Sequence, residues 1–327
     1  MLGPASQSVY AEGLSKSDDN INAVVNYGSG KAVKTYHGPE YRLGANFLLN
    51  ESLSIKAGYN TQRQYIHMLS NTTSMSPTDV WKLSDLNIAP QRGQQLSLGL
   101  YKNFNNNTFE TSVEGYYKKI DDFLDYKSGA VLLLNHKIEQ DVLPTQGKAY
   151  GIEFLVKKPA GKLNGWLSYT YSKTLLKTED KQGVNSINEG NYYPANYDKP
   201  HDVTMIGNYQ LSKRFSISLN VTYSTGRPIT LPVGKYFYNG GQRLLYSERN
   251  QYRIPDYFRS DISLNILGNH KVKQLTHNSW TIGVYNLTNR RNTFSTFFVS
   301  ENRVINGYQL SIFGTAVPFI NYNIRFK

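Results

Sequence analysis

The 327-residue chain has 36 Lys and Arg against 24 Asp and Glu, a formal net charge of +12, with 26 Tyr, 14 Phe, 3 Trp and no Cys. Without cysteine there is no disulfide framework, no thiolate zinc site and no cysteine nucleophile. A mean hydropathy of -0.50 and no apolar run near the ~20 residues of a spanning helix exclude helical membrane insertion. They do not exclude a β-barrel, whose strands are half apolar and need only ~9 to 11 residues each.

The length fits one large all-β domain or two ordinary ones. The cations (Lys31, Lys34, Arg42, Lys157, Lys158, Lys162, Arg290 and Arg291 among them) are scattered over turns and loops, with no basic helix or basic-aromatic motif. They read as a solvated or headgroup-facing surface and not as a nucleic-acid footprint. The excess of Tyr suits a membrane-water boundary or a ligand-contacting loop, since each ring is apolar and each hydroxyl polar.

Residues 1–40 are rich in Gly, Ser, Asp and Asn and read as a loop or a ragged start. Met1 to Ala5 lack the basic start and apolar core of a signal peptide, so the chain is expected to be a fragment. Residues 41–49 and 53–65 then form a hairpin, in which Leu53, Ile55, Ala57 and Tyr59 alternate with polar side chains. A polar stretch follows, and residues 94–104 place Leu96, Leu98 and Leu100 on one face. Asn105, Asn106 and Asn107 turn that strand back into Phe109, Val113 and Tyr117.

The same unit recurs. Tyr150, Ile152, Phe154 and Val156 lead through residues 159–161 to Leu163, Leu167, Tyr169 and Tyr171. Val203, Met205 and Tyr209 lead through Ser212 to Phe215, Ile217, Leu219, Val221 and Tyr223. Ile262, Leu264 and Ile266 lead through a basic segment at residues 268–274 to Trp280, Ile282 and Val284. Residues 308–313 turn near Gly314 into the last strand, where Ile320, Tyr322, Ile324 and Phe326 alternate with Asn321, Asn323 and Arg325.

The expected fold is all-β: an antiparallel up-and-down transmembrane β-barrel of about twelve strands in six hairpins, as a partial barrel or curved open sheet. Short connections alternate with long ones at 70–92, 121–146, 175–199, 226–255 and 289–303, as when short turns line one rim of a barrel and long loops the other. A soluble β-sandwich gives no reason for that sorting, and its polar face tends to be charged, whereas here it is largely Ser, Thr, Asn and Gly. The face carrying Leu96, Leu98, Leu100, Phe215, Ile217, Leu219, Val221, Tyr223, Ile320, Tyr322, Ile324 and Phe326 is assigned to lipid.

Several strings resemble a known family. NYYPANYDKPHD from Asn191, YSTGRPIT from Tyr223, VYNLTNRRN from Val284, FINYNIRFK from Phe319 and GKAYGIEFLVKKPAGKLNGWLSYTYSKT from Gly147 are similar to barrel segments of Bacteroidetes TonB-dependent outer-membrane receptors. The resemblance implies that residues 41–327 are the C-terminal half of a barrel of about twenty-two strands. Signal peptide, TonB box and plug are not visible in this sequence. It further implies active nutrient uptake across the bacterial outer membrane. The implied partners are outer-membrane lipid, the receptor's own plug, the TonB complex, a surface lipoprotein and a small-molecule or oligomeric nutrient. A passive porin, and a soluble or surface-attached β-rich binding module, are the alternatives.

No catalytic centre is expected. Asp198, Lys199, Pro200 and His201 have no metal or catalytic spacing and read as a rim structure. The six histidines show no HxH or HExxH pattern, and there is no GxSxG elbow, so neither metal nor cofactor is expected. Candidate ligand contacts are the loop aromatics Tyr192, Tyr193, Tyr197, Tyr236, Tyr238, Tyr246 and Tyr252 with Arg243, which can stack on and orient a polar ligand. Arg227, Arg249 and Arg253 share the loop with Arg243 and could take acidic groups.

Overall fold

The computed structural model describes residues 2–69, 80–127, 129–130, 134–178, 186–268, 276–301, 304–312 and 314–326, without the side chains of residues 80, 242, 300 and 301. Part of the basic turn, residues 269–275, and the final Lys327 lie outside the described residues.

Period-two runs become strands because successive side chains point to opposite sides. A ribbon of β1 (Ala5–Tyr10) and β2 (Ile21–Tyr27) comes first, then β3 (Arg42–Asn50) and β4 (Leu53–Gln64). The connection from β4 carries β5 (Ile66–Leu69) paired with β6 (Val80–Leu83). β7 (Gln91–Phe104) and β8 (Phe109–Tyr126) are joined through Asn105, Asn106 and Asn107, all at positive φ, a conformation Asn tolerates better than other side chains. Next come β9 (Val142–Lys158), β10 (Leu163–Lys177), the two-residue β11 (Tyr193–Pro194), β12 (His201–Gln210) and β13 (Phe215–Ser224). A long connection holds β14 (Pro228–Ile229), β15 (Pro232–Tyr238), β16 (Gly241–Tyr246) and β17 (Tyr252–Arg253). β18 (Tyr257–Leu267), β19 (Thr276–Tyr285), β20 (Thr293–Glu301), β21 (Val304–Ser311) and β22 (Val317–Phe326) complete the chain.

The main sheet runs β22-β19-β18-β13-β12-β10-β9-β8-β7-β4-β3, all antiparallel, with β11 attached to β10. β3 and β22 each have one neighbour, so the sheet is open. Five hairpins match the sequence reading; the sixth does not. The run at 304–311 pairs with β20, where Phe297 stacks on Tyr308 at 5.5 Å, and forms a separate ribbon. The terminal strand pairs with β19 instead. That register lays Ile320 opposite Ile282 and Tyr322 opposite Trp280, with the last two rings 4.3 Å apart, and so continues the apolar row of the sheet. Gly314 therefore belongs to a long connection.

Residues 1–40 also differ from a plain loop, since β1 and β2 form a ladder there. A backbone ladder needs no strict alternation of side chains, which hid it from the pattern. The segment rests on the long-connection end: the Tyr10 hydroxyl donates to Glu139, the Lys16 ammonium to the Asn87 carbonyl and the Tyr36 hydroxyl to the Asp85 carbonyl.

Side chains directly opposite in adjacent antiparallel strands share a face. One row runs Leu163, Tyr209, Ile217, Leu264, Ile282, Ile320, and the next Phe215, Ile266, Trp280, Tyr322. On the other side of the sheet the same face carries Phe47, Ile55, Leu100, Val113, Phe154, Tyr169, Val203, Tyr223. These apolar side chains are not packed away: Leu96 is 59% exposed and Ile320 64%. The buried apolar residues lie instead at the long-connection end, in one cluster of Leu69, Ile88, Ile138 and Val142 and another of Leu143, Leu176, Ile187, Tyr193 and Ala195.

Candidate functional site

Two sets of polar side chains stand out, one on the face opposite the apolar rows and one inside the long connections. On the polar face a hydrogen-bonded chain crosses five strands. Asn208 donates to Asn164 at 3.3 Å, Ser218 to Asn208 at 2.7 Å, Asn265 to Ser218 at 2.9 Å and Thr281 to Asn265 at 3.0 Å. Side chains that satisfy one another in this way tolerate a wet or protein-filled interior.

The same face holds an acidic pair. Register places Lys56, Gly99, Glu114, Glu153, Thr170 and Asp202 in one row, with Glu114 directly opposite Glu153. The Tyr101 hydroxyl donates to Glu114 at 2.7 Å, and the Lys56 ammonium lies 4.3 Å from the Tyr101 ring centre. A Cβ on Gly99 would meet that ring at 2.8 Å, so glycine leaves the space into which Tyr101 folds. Like charges directly opposite across two strands repel, so Glu114 and Glu153 form a site that a cation would stabilise. Their spacing of 39 positions gives no sequence signal. Only the register of β8 against β9 brings them together. Among the described residues no group of three or more His, Asp or Glu is placed to hold a metal ion.

At the long-connection end, Asp125 of β8 takes Arg249 at 2.9 Å and the Tyr193 hydroxyl at 2.5 Å. Arg249 also donates to the Tyr126 carbonyl, and its backbone N–H donates to Asn188. Thr178 lies 3.2 Å from the Tyr193 hydroxyl and 2.9 Å from Thr145. Burial, and the Asp125 carboxylate beside it, push the Tyr193 phenol well above its ordinary value, so it stays protonated and donates. Asn250 donates to the Pro194 carbonyl and to Asn196, and Asp198 pairs with Arg253 while accepting from the Thr174 N–H. Three connections are thereby tied into one polar core.

This changes several sequence assignments. Tyr193 is 1% exposed and bonded inward, so it is a core residue and cannot meet a ligand. Its hydroxyl needs a buried acceptor, and β11 pins its backbone against Leu176. Arg249 and Arg253 are likewise committed to Asp125 and Asp198, and Arg227 donates to the Phe294 carbonyl. In the Asp198 to His201 string, Asp198 pairs with Arg253 and the His201 ring lies 3.0 Å from the Tyr169 hydroxyl.

Tyr192, Tyr197, Tyr236, Tyr238, Tyr246 and Tyr252 are exposed, as is Arg243. Tyr236 stands opposite Arg243 on the β15–β16 ribbon, with Tyr238 on the same face and Tyr246 on the other. Tyr252 pairs with Ile229, and Tyr192 holds the Lys148 ammonium 3.6 Å from its ring centre. The exposed aromatics therefore come from two connections, the one after β10 and the one after β13.

An open antiparallel sheet with an unshielded apolar face, an internally hydrogen-bonded polar face and its long connections at one rim is a segment of an up-and-down membrane β-barrel. The family model described as TonB dependent receptor-like, beta-barrel, matches residues 13–287, and the chain belongs to that family. Its place is the bacterial outer membrane. Among solved structures, the ferripyoverdine receptor of the outer membrane of Pseudomonas aeruginosa, bound to ferripyoverdine, is 11% identical with a TM-score of 0.51. That match covers 94% of this chain and 34% of the receptor. The FpvAI-pyocin S2 complex matches similarly, with a TM-score of 0.51, 11% identity and coverage of 93% of this chain and 34% of that one. The chain thus spans about a third of the length of the solved structures it matches, and at this identity the likeness concerns the fold. No curated protein sequence matches the chain.

Proposed function

We propose that the chain is part of the wall of a TonB-dependent receptor that actively takes up a nutrient across the outer membrane. The observation that carries the reading is the two-faced sheet within a chain whose family match spans residues 13–287. Leu96, Leu98, Leu100, Phe215, Ile217, Leu219, Val221, Tyr223, Ile320, Tyr322, Ile324 and Phe326 face lipid in this reading, and the polar face encloses a plug. Glu114 and Glu153, opposed across two strands, give the plug a docking point for a cationic side chain. Energy would come from an inner-membrane TonB complex, which displaces the plug, and a surface lipoprotein would hand over the nutrient. No residue of the chain performs covalent chemistry in this scheme.

The nutrient, a small molecule or an oligomer, would meet the exposed side chains of Tyr192, Tyr197, Tyr236, Tyr238, Arg243, Tyr246 and Tyr252. The test uses the complete receptor containing this chain, reconstituted in planar bilayers. A plugged transporter leaves the bilayer electrically silent, and replacing both Glu114 and Glu153 by Arg loosens the plug and opens a steady conductance. An open, ohmic channel in the unaltered receptor is the result expected of a passive porin and would overturn the reading.

A further inference from the structure

The register gathers cations on one face of the wall over three successive rows. On the face that carries the apolar rows, Lys119 of β8 stands directly opposite Lys148 of β9, and Lys173 of β10 stands opposite Tyr150, two positions along β9 from Lys148. Arg92 of β7 is on the same face, one step nearer the long connections than Gln94, the partner of Lys119. Immediately below lies the row Tyr59, Leu96, Tyr117, Tyr150, followed by Ala57, Leu98, Gly115, Ile152, Tyr171. Tyrosines bordering an apolar band mark the level where hydrocarbon gives way to headgroups. Arg92, Lys119 and Lys148 sit just outside that border, and Lys173 stands in the tyrosine row itself, opposite Tyr150.

Two of the four have carboxylate partners: Arg92 pairs with Asp122 at 3.0 Å, and Lys119 with Asp121 at 3.3 Å. Lys148 and Lys173 have none among the described residues; the Lys148 ammonium rests on the Tyr192 ring. Lysines directly opposite on neighbouring strands repel and cost stability unless an anion lies between them. The row of Lys119 and Lys148 continues into Leu175 of β10 and Pro194 of β11, which carry no charge.

We propose that Arg92, Lys119, Lys148 and Lys173 seat the phosphorylated headgroup of an outer-leaflet lipid, with Tyr117 and Tyr150 against its sugar or glycerol portion. The apolar rows below accept its acyl chains, which favours a lipid over a free phosphate. The site depends on the outward assignment of this face, and so on the membrane placement above. It says nothing of the nutrient.

The experiment takes the complete receptor in nanodiscs containing either a bis-phosphorylated glycolipid or its dephosphorylated form, and counts retained glycolipid per receptor by native mass spectrometry. The phosphorylated lipid is expected to be retained preferentially. Each of Lys119→Gln, Lys148→Gln and Lys173→Gln lowers retention about fivefold, in line with the attraction of one basic side chain to an anionic surface. Lys119→Arg and Lys173→Arg retain it. Heat-modifiable migration in the outer-membrane fraction separates the two readings: variants that assemble but lose the lipid support the site, and failure of the unaltered receptor to assemble would count against the membrane placement itself. Equal retention of the two lipids, unchanged retention in the triple Gln variant, or displacement by millimolar inorganic phosphate as effective as by added glycolipid would each overturn the proposal.

Discussion

Between β12 and β22 the wall leaves its apolar side chains unshielded, whereas at the long-connection end Leu143, Leu176, Ile187, Tyr193 and Ala195 are packed around a buried ion pair. The two regions solve the same problem with different solvents. The wall relies on the membrane in place of a core, and asks of its own residues only alternation and a satisfied polar face. The connections stand in water and must build a core for themselves. They do so with few apolar residues and with charges that are paired and hydrogen-bonded.

Breaking the connection core should have the largest effect. Arg249→Met leaves Asp125 buried without its cation, a loss of about 3 to 5 kcal/mol of local stability. Faster hydrogen exchange and protease cutting in the connections after β8, β10 and β13 would register it, with the wall unaffected. Unchanged exchange there would mean that the three connections do not depend on this pair.

The wall is tested next. Leu219→Arg should impair membrane assembly, since a charge on the lipid face near mid-depth costs ~2 to 4 kcal/mol. Ser216→Arg, on the polar face, should assemble nearly as the unaltered protein does. Equal heat-modifiable fractions for the two variants would reverse or abolish the facing assignment.

Smaller effects distinguish the polar face from the connections. Asn265→Leu removes the link between Ser218 and Thr281 and should cost about 1 kcal/mol in urea unfolding from lipid, with assembly intact. The least effect is a pH dependence. Asp256, in the connection before β18, accepts from the Gly226 N–H and the Tyr223 hydroxyl, with Arg290 and Arg253 nearby, and these hold its carboxyl below the ordinary carboxylate range. Its contribution is thus full above the ordinary carboxylate range and is lost as pH falls through the depressed folded value. Protection of the Gly226 amide should decline only under strongly acid conditions, and Asp256→Asn should remove that dependence.

The strands were legible because a strand needs only its own alternation. Leu96, Leu98 and Leu100, or Ile217, Leu219 and Val221, announce one face wherever the strand goes. Neighbour choice was less legible: pattern alone assigned the run at 308–313 to the terminal strand, whereas Val304–Ser311 pairs with β20 and the register gives the terminal strand to β19. The candidate site was the least legible part. Tyr193 and Tyr192 are adjacent and chemically alike, yet one is buried on Asp125 and the other exposed under Lys148.

The sequence by itself determined the two faces of the wall, the short turns at Asn105 to Asn107 and the long connections, because each of these is set within a few residues by backbone geometry and side-chain polarity. Only the tertiary structure decided that Glu114 meets Glu153, that Lys119 meets Lys148, and that Asp125 finds Arg249 across 124 positions. Those encounters depend on register between strands and on the folding of separate connections against each other. A change of one position in register would move every partner to the opposite face.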